Sequence, residues 1–329
     1  MPHYKIEDLD LKNDSEEEQI RTRKIFEDLK SKAIKGEKLL SREKEFLCTS
    51  LKLTIYKEDG NPEDFEVCND FVFKELYLTY FHNNLSGPFF KAKAGKIIEV
   101  EEREKHKDFK TLQKISDNWL KEIEFEKHKN QILQELAAET RKDLKELDKK
   151  FPKLLRRFRK KQDEYRLQKD KIILQSKFIF LLAESVIEDY EKSDFEIPFN
   201  GQIIEFTSYS LIHITSRHYS EAIKNREEKT YHYKNFLPKE LHIDLKNILL
   251  EIDKLNVINL NNTNNIIFVY EGITYHLWIE KKVKQVKGQG NVSFNRIQTF
   301  YPIYDKKKLD ELVKTKVLHK VNQNLSVYE

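Results

Sequence analysis

Glycine, proline and cysteine are scarce in this chain, which has eight Gly, seven Pro and two Cys among 329 residues. The sequence contains no glycine-rich loop that could hold the phosphates of a nucleotide, no Gly-x-Ser-x-Gly elbow and no His-Glu-x-x-His helix. These absences disfavour nucleoside triphosphatases, hydrolases built on a nucleophile elbow, and zinc-dependent peptidases of the zincin type.

The two cysteines, Cys48 and Cys68, are too few for a secreted disulfide scaffold. They also lack the Cys-x-x-Cys spacing of a zinc site, and with His82 they would supply only three ligands. We interpret them as buried free thiols in a reducing compartment. The sequence therefore predicts neither a metal nor another cofactor.

Long apolar runs are also absent, since the longest one covers only residues 178–183. The first 30 residues have no apolar core of a signal peptide and carry three consecutive glutamates at 16–18. We therefore predict a cytoplasmic protein, or one delivered without a cleaved signal, that has no membrane partner.

Charged residues make up 35% of the chain, yet the net charge is only +4 and the mean hydropathy is −0.72. The positive charge is concentrated in a run at residues 153–161. A solvated helix surface is the favoured interpretation of this run, and a contact with RNA is the alternative.

The spacing of glycine and proline predicts three parts. Residues 99–190 contain no glycine and a single proline, Pro152, which indicates long helices with a break near Lys150. We predict a helical N-terminal domain at 1–98, a basic helical hairpin or stalk at 99–194, and an α+β domain at 195–329.

The last part combines two hydrophobic periods. Helical spacing predicts helices at residues 209–224, 237–255 and 309–321, and strand-like runs occupy residues 257–260, 266–270, 273–284 and 292–303. The predicted fold class is α+β: a long helical N-terminal region, followed by a small domain with helices packed on a four-stranded antiparallel sheet.

The run Leu-Ile-His-Ile-Thr-Ser-Arg-His at 211–218 carries candidate catalytic groups. On a helix, His213 and Arg217 project from one side, and His218 lies beside Arg217. Imidazole can remove the proton of an RNA 2′-hydroxyl or protonate the leaving 5′-oxygen, and arginine can offset charge on the phosphate. A histidine on such a helix is otherwise a surface residue or a hydrogen-bonded core residue.

The last strand adds polar side chains. Alternation places Thr299 and Tyr301 on one side of the sheet and Arg296 on the other, unless a bulge reorients them. Tyr275 and Trp278 are candidates for stacking a base, although a place in the core is favoured for Trp278. The candidate RNA-binding lysines are Lys281, Lys282, Lys284 and Lys287.

The helices before the sheet, the His-x-x-x-Arg-His element at 213–218 and the Arg-x-x-Thr-x-Tyr strand at 296–301 resemble the barnase, EndoU, colicin and RelE-like (BECR) nuclease superfold, in its phage- and toxin-associated branches. The resemblance covers residues 200–305 only. It implies metal-independent cleavage of RNA that leaves a 2′,3′-cyclic phosphate. It further implies that His213 and His218 act as acid and base, that Arg217 binds phosphate, and that Thr299 and Tyr301 position it.

Two classes of function remain open. In the first, the C-terminal domain is an RNA-cleaving toxin or effector, with RNA and an inhibitor of the antitoxin or immunity type as candidate partners. In the second, the chain is a non-enzymatic interaction protein derived from a phage or mobile element, with a nucleic-acid-binding α+β domain. The long helices are candidate surfaces for self-association in either class.

Overall fold

The structure, a computed structural model, has mixed α+β architecture with 59% helix and 19% strand, which confirms the predicted class. It divides into two compact units. Unit 1 comprises Met1–Glu122 and Ile173–Asp189, and unit 2 comprises Ile123–Ile172 and Tyr190–Glu329. Residues of the predicted stalk at 99–194 contribute to both units. The residues described are 3–10, 14–55, 66–81, 87–93, 96–124, 130–219, 230–232, 235–286 and 290–329.

Unit 1 is mainly helical, and its first helix begins at a capping side chain. The side chain of Ser15 accepts a hydrogen bond from the backbone N–H of Glu18 and so caps the first helix. The elements of unit 1 are α1 (Glu16–Ile34), α2 (Ser41–Ile55), α3 (Asn69–Tyr80), β1 (Phe90–Lys93), β2 (Lys96–Glu99), most of α4 (Glu102–Glu124) and the second half of α6 (Arg159–Asp189).

The two cysteines are paired, so the prediction of free thiols was wrong. Cys48 in α2 and Cys68 form a disulfide, with Cα atoms 5.4 Å apart, inside a core that includes Leu29 and Leu47. The pairing joins positions 20 residues apart, and nothing in their spacing indicates it. The free-thiol argument for a reducing compartment therefore no longer holds, and a cytoplasmic location stays a prediction.

Helix α5 (Gln131–Lys150) ends where the sequence predicted a break. Asn130 caps its start by accepting from the backbone N–H of Leu133. Pro152 follows the last turn, where a proline has no N–H for the helical ladder and clashes with the preceding turn. A short 3-10 turn then leads into α6.

Unit 2 contains a seven-stranded mixed sheet in place of the predicted four-stranded antiparallel one. Its order is β3-β4-β7-β6-β5-β9-β8, and β4 runs parallel to β7. The predicted strand at 257–260 is not a strand, and four strands of three or four residues were missed. The bounds are β3 (Glu196–Phe199), β4 (Gln202–Glu205), β5 (Asn265–Tyr270), β6 (Ile273–Val286), β7 (Gly290–Pro302), β8 (Leu318–Lys320) and β9 (Leu325–Tyr328).

Besides α5 and the first half of α6, the described part of unit 2 contains the helices α7 (Ser208–His218), α8 (Leu241–Asp253) and α9 (Lys306–Thr315). Helix α8 buries Leu241, Leu245, Leu249 and Ile252 and packs against β3 and β9, which confirms the amphipathic pattern read from the sequence. Helix α7 packs against β7 and α5.

His242 of α8 is a buried polar residue in an aromatic environment. Its ring lies 4.5 Å from that of Phe195 and 4.4 Å from that of Tyr190, and neither ring nitrogen has a hydrogen-bond partner among the described residues. Burial lowers the pKa of His242 to about 4. A histidine that stays neutral in the folded protein reduces the stability of the fold as pH falls, because the unfolded chain takes up the same proton at higher pH.

We expect His242→Phe to raise the free energy of unfolding by about 2 kcal/mol at pH 5 relative to the wild type, and by less at pH 7. The wild type loses stability as pH falls from about 6.5 towards 4, whereas phenylalanine does not titrate. Urea denaturation at both pH values measures the difference. His106→Phe, at an exposed position of α4, is the control, and an equal effect of both substitutions at pH 5 would contradict the argument.

Candidate functional site

Helix α7 covers the edge of β7 where pairing with β4 ends. The register of β4 with β7 includes only Asn295 and Arg296 on the β7 side. Beyond them, Ser210 of α7 donates its hydroxyl to the carbonyl of Ile297, and His232 contacts the carbonyl of Phe300 through Nε2 at 3.1 Å. The side chain of Thr207 caps α7 by accepting from the N–H of Ser210. The helix is thereby fixed beside the polar residues of β7.

A β-bulge in β7 decides which of these residues meet. Thr299 pairs with Trp278 and Ile297 with Ile279, so Gln298 is an extra residue. Arg296 then lies opposite Glu280, and Tyr301 lies opposite His276. Because positions 276 and 280 share one side of β6, Arg296 and Tyr301 also share one side of the sheet. The bulge that the sequence analysis left open is therefore present, and it brings Arg296 to the side of Tyr301.

His218 is hydrogen-bonded through both ring nitrogens. Nδ1 lies 3.2 Å from the carbonyl oxygen of Thr230, and Nε2 lies 2.9 Å from the hydroxyl of Thr299. Since a carbonyl only accepts, Nδ1 carries the proton of the neutral ring and Nε2 accepts from Thr299. The side chains of His218 and Thr299 are both buried. The ring of His218 also stacks on Tyr301 at 4.9 Å.

Tyr301 leads to a third histidine that the sequence analysis missed. Its hydroxyl lies 2.7 Å from Nδ1 of His276, whose Nε2 lies 2.7 Å from Oδ1 of Asn265. Burial lowers the pKa of His276, and the charge of Lys308 lowers it further. If β6 and β7 paired without the bulge, His276 would lie opposite residue 300. The extra residue in β7 is what places His276 opposite Tyr301.

His213 and Arg296 complete the group through Tyr209. The rings of His213 and Tyr209 stack at 5.5 Å, and the guanidinium of Arg296 lies 4.0 Å from the centre of the Tyr209 ring. The rings of His213 and His218 are 6.4 Å apart. We call this connected set the histidine cluster. Its members are Tyr209, His213, His218, His276, Arg296, Thr299 and Tyr301.

Arg217, in contrast, is held by carboxylates of α5. Its guanidinium contacts Glu139 at 2.6 Å and Asp143 at 2.5 Å. Burial acts to lower the pKa of Arg217, whereas the charge of Asp143 and the contacts of Glu139 raise it. The two carboxylates offset the positive charge that phosphate binding would need, so the arrangement argues against the predicted phosphate-binding role of Arg217.

Glu139 is the buried partner of this ion pair. Burial acts to raise its pKa, but the outcome is a lowered pKa because His213, Lys142 and Arg217 stabilise the carboxylate. The Oε1 atom of Glu139 also lies 3.7 Å from Nδ1 of His213. Neither Glu139 nor Asp143 was singled out from the sequence, because they precede Arg217 by 78 and 74 residues.

Arg296 differs from Arg217 in its surroundings. It donates a hydrogen bond to Gln298 at 2.8 Å, and no carboxylate of the described residues lies within ion-pair distance of it. Gln298 in turn donates to the hydroxyl of Tyr209 at 2.7 Å. Glu280 of β6 and Glu205 of β4 lie opposite Arg296 in the sheet, but among the described residues neither forms an ion pair with it.

The predicted lysines of the β6–β7 hairpin do not form one group. Lys281 is exposed, while Lys282 points to the other side of β6 and pairs with Glu280 at 2.7 Å. The side chain of Lys284 and the whole of Lys287 lie outside the described residues. Tyr275, proposed for base stacking, is fully buried against Phe268 and Phe300.

A separate pocket of about 200 Å³ lies beside α8 and includes none of the predicted site residues. It is lined by Phe236 and Tyr270, by the carboxylates of Asp244 and Glu251, and by polar side chains that include Asn247. Burial and the charge of Glu240 raise the pKa of Asp244. The described residues contain no group of three or more His, Cys, Asp or Glu side chains placed to hold a metal ion.

Comparison with known proteins gives no relative: no family model, curated protein or solved structure matches the chain. Within the described ranges, no helix combines the length and apolar character needed to cross a bilayer. The assignment of the candidate site therefore rests on the geometry of its residues alone.

We expect Glu139→Gln to lower the free energy of unfolding at pH 7 by about 3 kcal/mol, because it leaves the charge of Arg217 poorly matched in a largely buried place. The matched control is Glu146→Gln on the same helix, where the exposed carboxylate pairs with Lys149 and the expected loss is below about 0.5 kcal/mol.

Urea denaturation measures both variants. The lowered pKa of Glu139 stabilises the fold above the ordinary glutamate pKa, and this contribution is lost as pH falls. The difference between Glu139→Gln and the wild type should therefore shrink below about pH 4. Equal losses for the two variants at pH 7 would contradict the structural role of Glu139.

Proposed function

We propose that unit 2 is a metal-independent endoribonuclease of the toxin or effector type, and that the histidine cluster is its active site. The observation that carries this proposal is the continuous set of ring contacts that joins His213, His218 and His276 around Tyr301. Several imidazoles on one side of a sheet supply the two proton-transfer groups that cleavage by a 2′-hydroxyl requires. The resemblance of residues 200–305 to BECR nucleases points to the same chemistry.

His218 is suited to the role of general base. The carbonyl of Thr230 fixes the proton on Nδ1 and leaves Nε2 as an acceptor, which Thr299 occupies in the free protein. In the proposed complex, the 2′-hydroxyl of RNA replaces the hydroxyl of Thr299. Nε2 then takes the 2′ proton as the 2′-oxygen attacks the phosphorus.

His213 is assigned the acid role. Its side chain is 22% exposed, and its ring lies 6.4 Å from that of His218, so the two imidazoles can approach the same phosphate from different sides. As the bond from phosphorus to the 5′-oxygen breaks, His213 gives that oxygen a proton. The products are a 2′,3′-cyclic phosphate and a 5′-hydroxyl.

Arg296 replaces Arg217 as the proposed phosphate ligand. The charge of Arg296 is not paired with a carboxylate, and a guanidinium can donate two parallel hydrogen bonds to a phosphate. Tyr301, linked to His276, is assigned to positioning the substrate. Lys281 follows Glu280 on β6 and so points to the side of the sheet opposite the cluster, and it is not assigned a contact with the RNA held there.

A second candidate function is binding of nucleic acid without cleavage, by a protein of phage or mobile-element origin. The observation that favours it is limited access, because His218 and Thr299 are both 8% exposed and Arg217 is held by two carboxylates. The two functions differ in one result: an interaction protein binds RNA and leaves it intact.

We expect the full-length protein to cleave labelled RNA in EDTA, and His213→Ala and His218→Ala each to lower the rate by about 100-fold or more, since each removes a proton-transfer group. His319→Ala, a histidine of β8 outside the cluster, is the control and should keep the wild-type rate. Gel analysis of the products should identify cyclic phosphate ends. Thermal melting establishes that the variants are folded, and intact RNA with a folded wild type would reject the nuclease.

We expect Arg296→Gln to weaken RNA binding and to reduce the slope of log affinity against log salt by about one, because one phosphate contact is lost. Lys314→Gln on α9 removes an exposed charge outside the cluster and should change that slope less. Fluorescence anisotropy in the His218→Ala background avoids cleavage during the titration. An unchanged slope in Arg296→Gln would remove this arginine from the proposed interface.

A further inference from the structure

The connection between α5 and α6 exposes large apolar side chains in unit 2. Leu154 is 67% exposed, Leu155 is 38% exposed and Phe158 is 65% exposed. The three lie within five consecutive residues at a 3-10 turn, and Leu155 and Phe158 are three apart, which is the repeat of that turn. We call residues 153–161 the basic tip.

Cations flank these apolar side chains along the sequence. Arg156 is folded back onto the ring of Tyr165 and pairs with Asp148, and Lys161 pairs with Glu164. The remaining four cations of the tip are exposed, and no ion pair is recorded for them within the described part of the chain. They are Lys153, Arg157, Arg159 and Lys160.

We propose that the basic tip docks unit 2 on an anionic lipid surface. Four unpaired cations match the negative charge of lipid headgroups, and three exposed apolar side chains can enter the boundary between headgroups and acyl chains. Electrostatic attraction alone or apolar insertion alone gives weak, reversible attachment to a membrane, and the two together give a more stable one.

A lipid surface explains the combination of exposed cations and exposed apolar side chains in the basic tip better than RNA does. RNA would use the cations, and Phe158 could stack on a base, but Leu154 and Leu155 would remain in water. A lipid surface makes use of both kinds of side chain. The sequence-based expectation of no membrane partner depended on the lack of a spanning segment, and docking of a tip needs none.

The proposal is tested by co-sedimentation of the full-length protein with vesicles. One set is phosphatidylcholine alone, and the other contains roughly one-third phosphatidylserine. We expect binding to the anionic vesicles only, and a decrease of that binding as salt is raised.

Two tip variants separate the apolar and the electrostatic contributions. Leu154→Ser with Phe158→Ser should lower the affinity for anionic vesicles about tenfold or more, because the apolar contact is lost. Arg157→Gln, Arg159→Gln and Lys160→Gln together should lower it by roughly 100-fold, at about fivefold per charge. All these side chains are exposed, so the variants should melt like the wild type.

Matched controls lie on and after α9. Val313→Ser with Val317→Ser removes apolar side chains of similar exposure, at 68% and 62%. Lys306→Gln, Lys307→Gln and Lys308→Gln together remove three exposed charges. Both controls should keep the binding of the wild type to anionic vesicles.

The proposal is overturned if the protein does not bind anionic vesicles, or if tip and control variants lose equal affinity for them. It is also overturned if vesicle binding is absent and the tip variants instead lose RNA binding or self-association. Gel filtration and anisotropy with RNA distinguish the last two. Vesicle binding does not depend on RNA cleavage, so failure of the proposed nuclease would leave this test intact.

Discussion

One extra residue in β7 determines which side chains of unit 2 can act together. The bulge at Gln298 shifts the pairing with β6 by one position, and this shift places Tyr301 opposite His276 and Arg296 on the same side of the sheet. The bulge also lies beside the point where α7 replaces β4 along the edge of β7. Removal of the extra residue would invert one half of the strand, because side chains alternate with a period of two. The histidine cluster depends on this irregularity.

A second constraint comes from α5, which holds α7 through charge. Glu139 is almost completely buried, and a buried carboxylate is tolerated only when it is paired and hydrogen-bonded. Arg217 and Lys142 satisfy that requirement. The guanidinium of Arg217, which the sequence motif assigns to phosphate binding, therefore serves to hold α7 against α5. Arg296 differs in its partners, since it contacts an amide and an aromatic ring and forms no ion pair with a described carboxylate.

The parts of the fold that were predicted correctly are those with a strong local signal. Helix α8 repeats its leucines at helical spacing, Pro152 marks the end of α5, and the strands from β5 to β7 alternate over many residues. Strands of four residues, such as β3 and β4, are too short to show a period. The disulfide, the bulge and the ion pair of Arg217 each depend on which distant residues meet, and a single sequence contains no record of that. Sequence patterns therefore identified some residues of the candidate site, such as His213 and His218, but not which side chains contact one another.

The net charge of +4 hides a strong contrast between paired and unpaired cations. An ion pair presents little field beyond its own surroundings, because the opposite charges cancel and salt screens the remainder within about 10 Å. Arg217 and Lys282 therefore contribute little to the field that an approaching anion meets. Arg296 and the four exposed cations of the basic tip are not held in such pairs among the described residues, so their charge stays available to an approaching anion. A count of charges along the sequence weights all cations equally. It therefore does not distinguish the run at 153–161, where large apolar side chains are exposed between the cations, from an ordinary solvated helix surface.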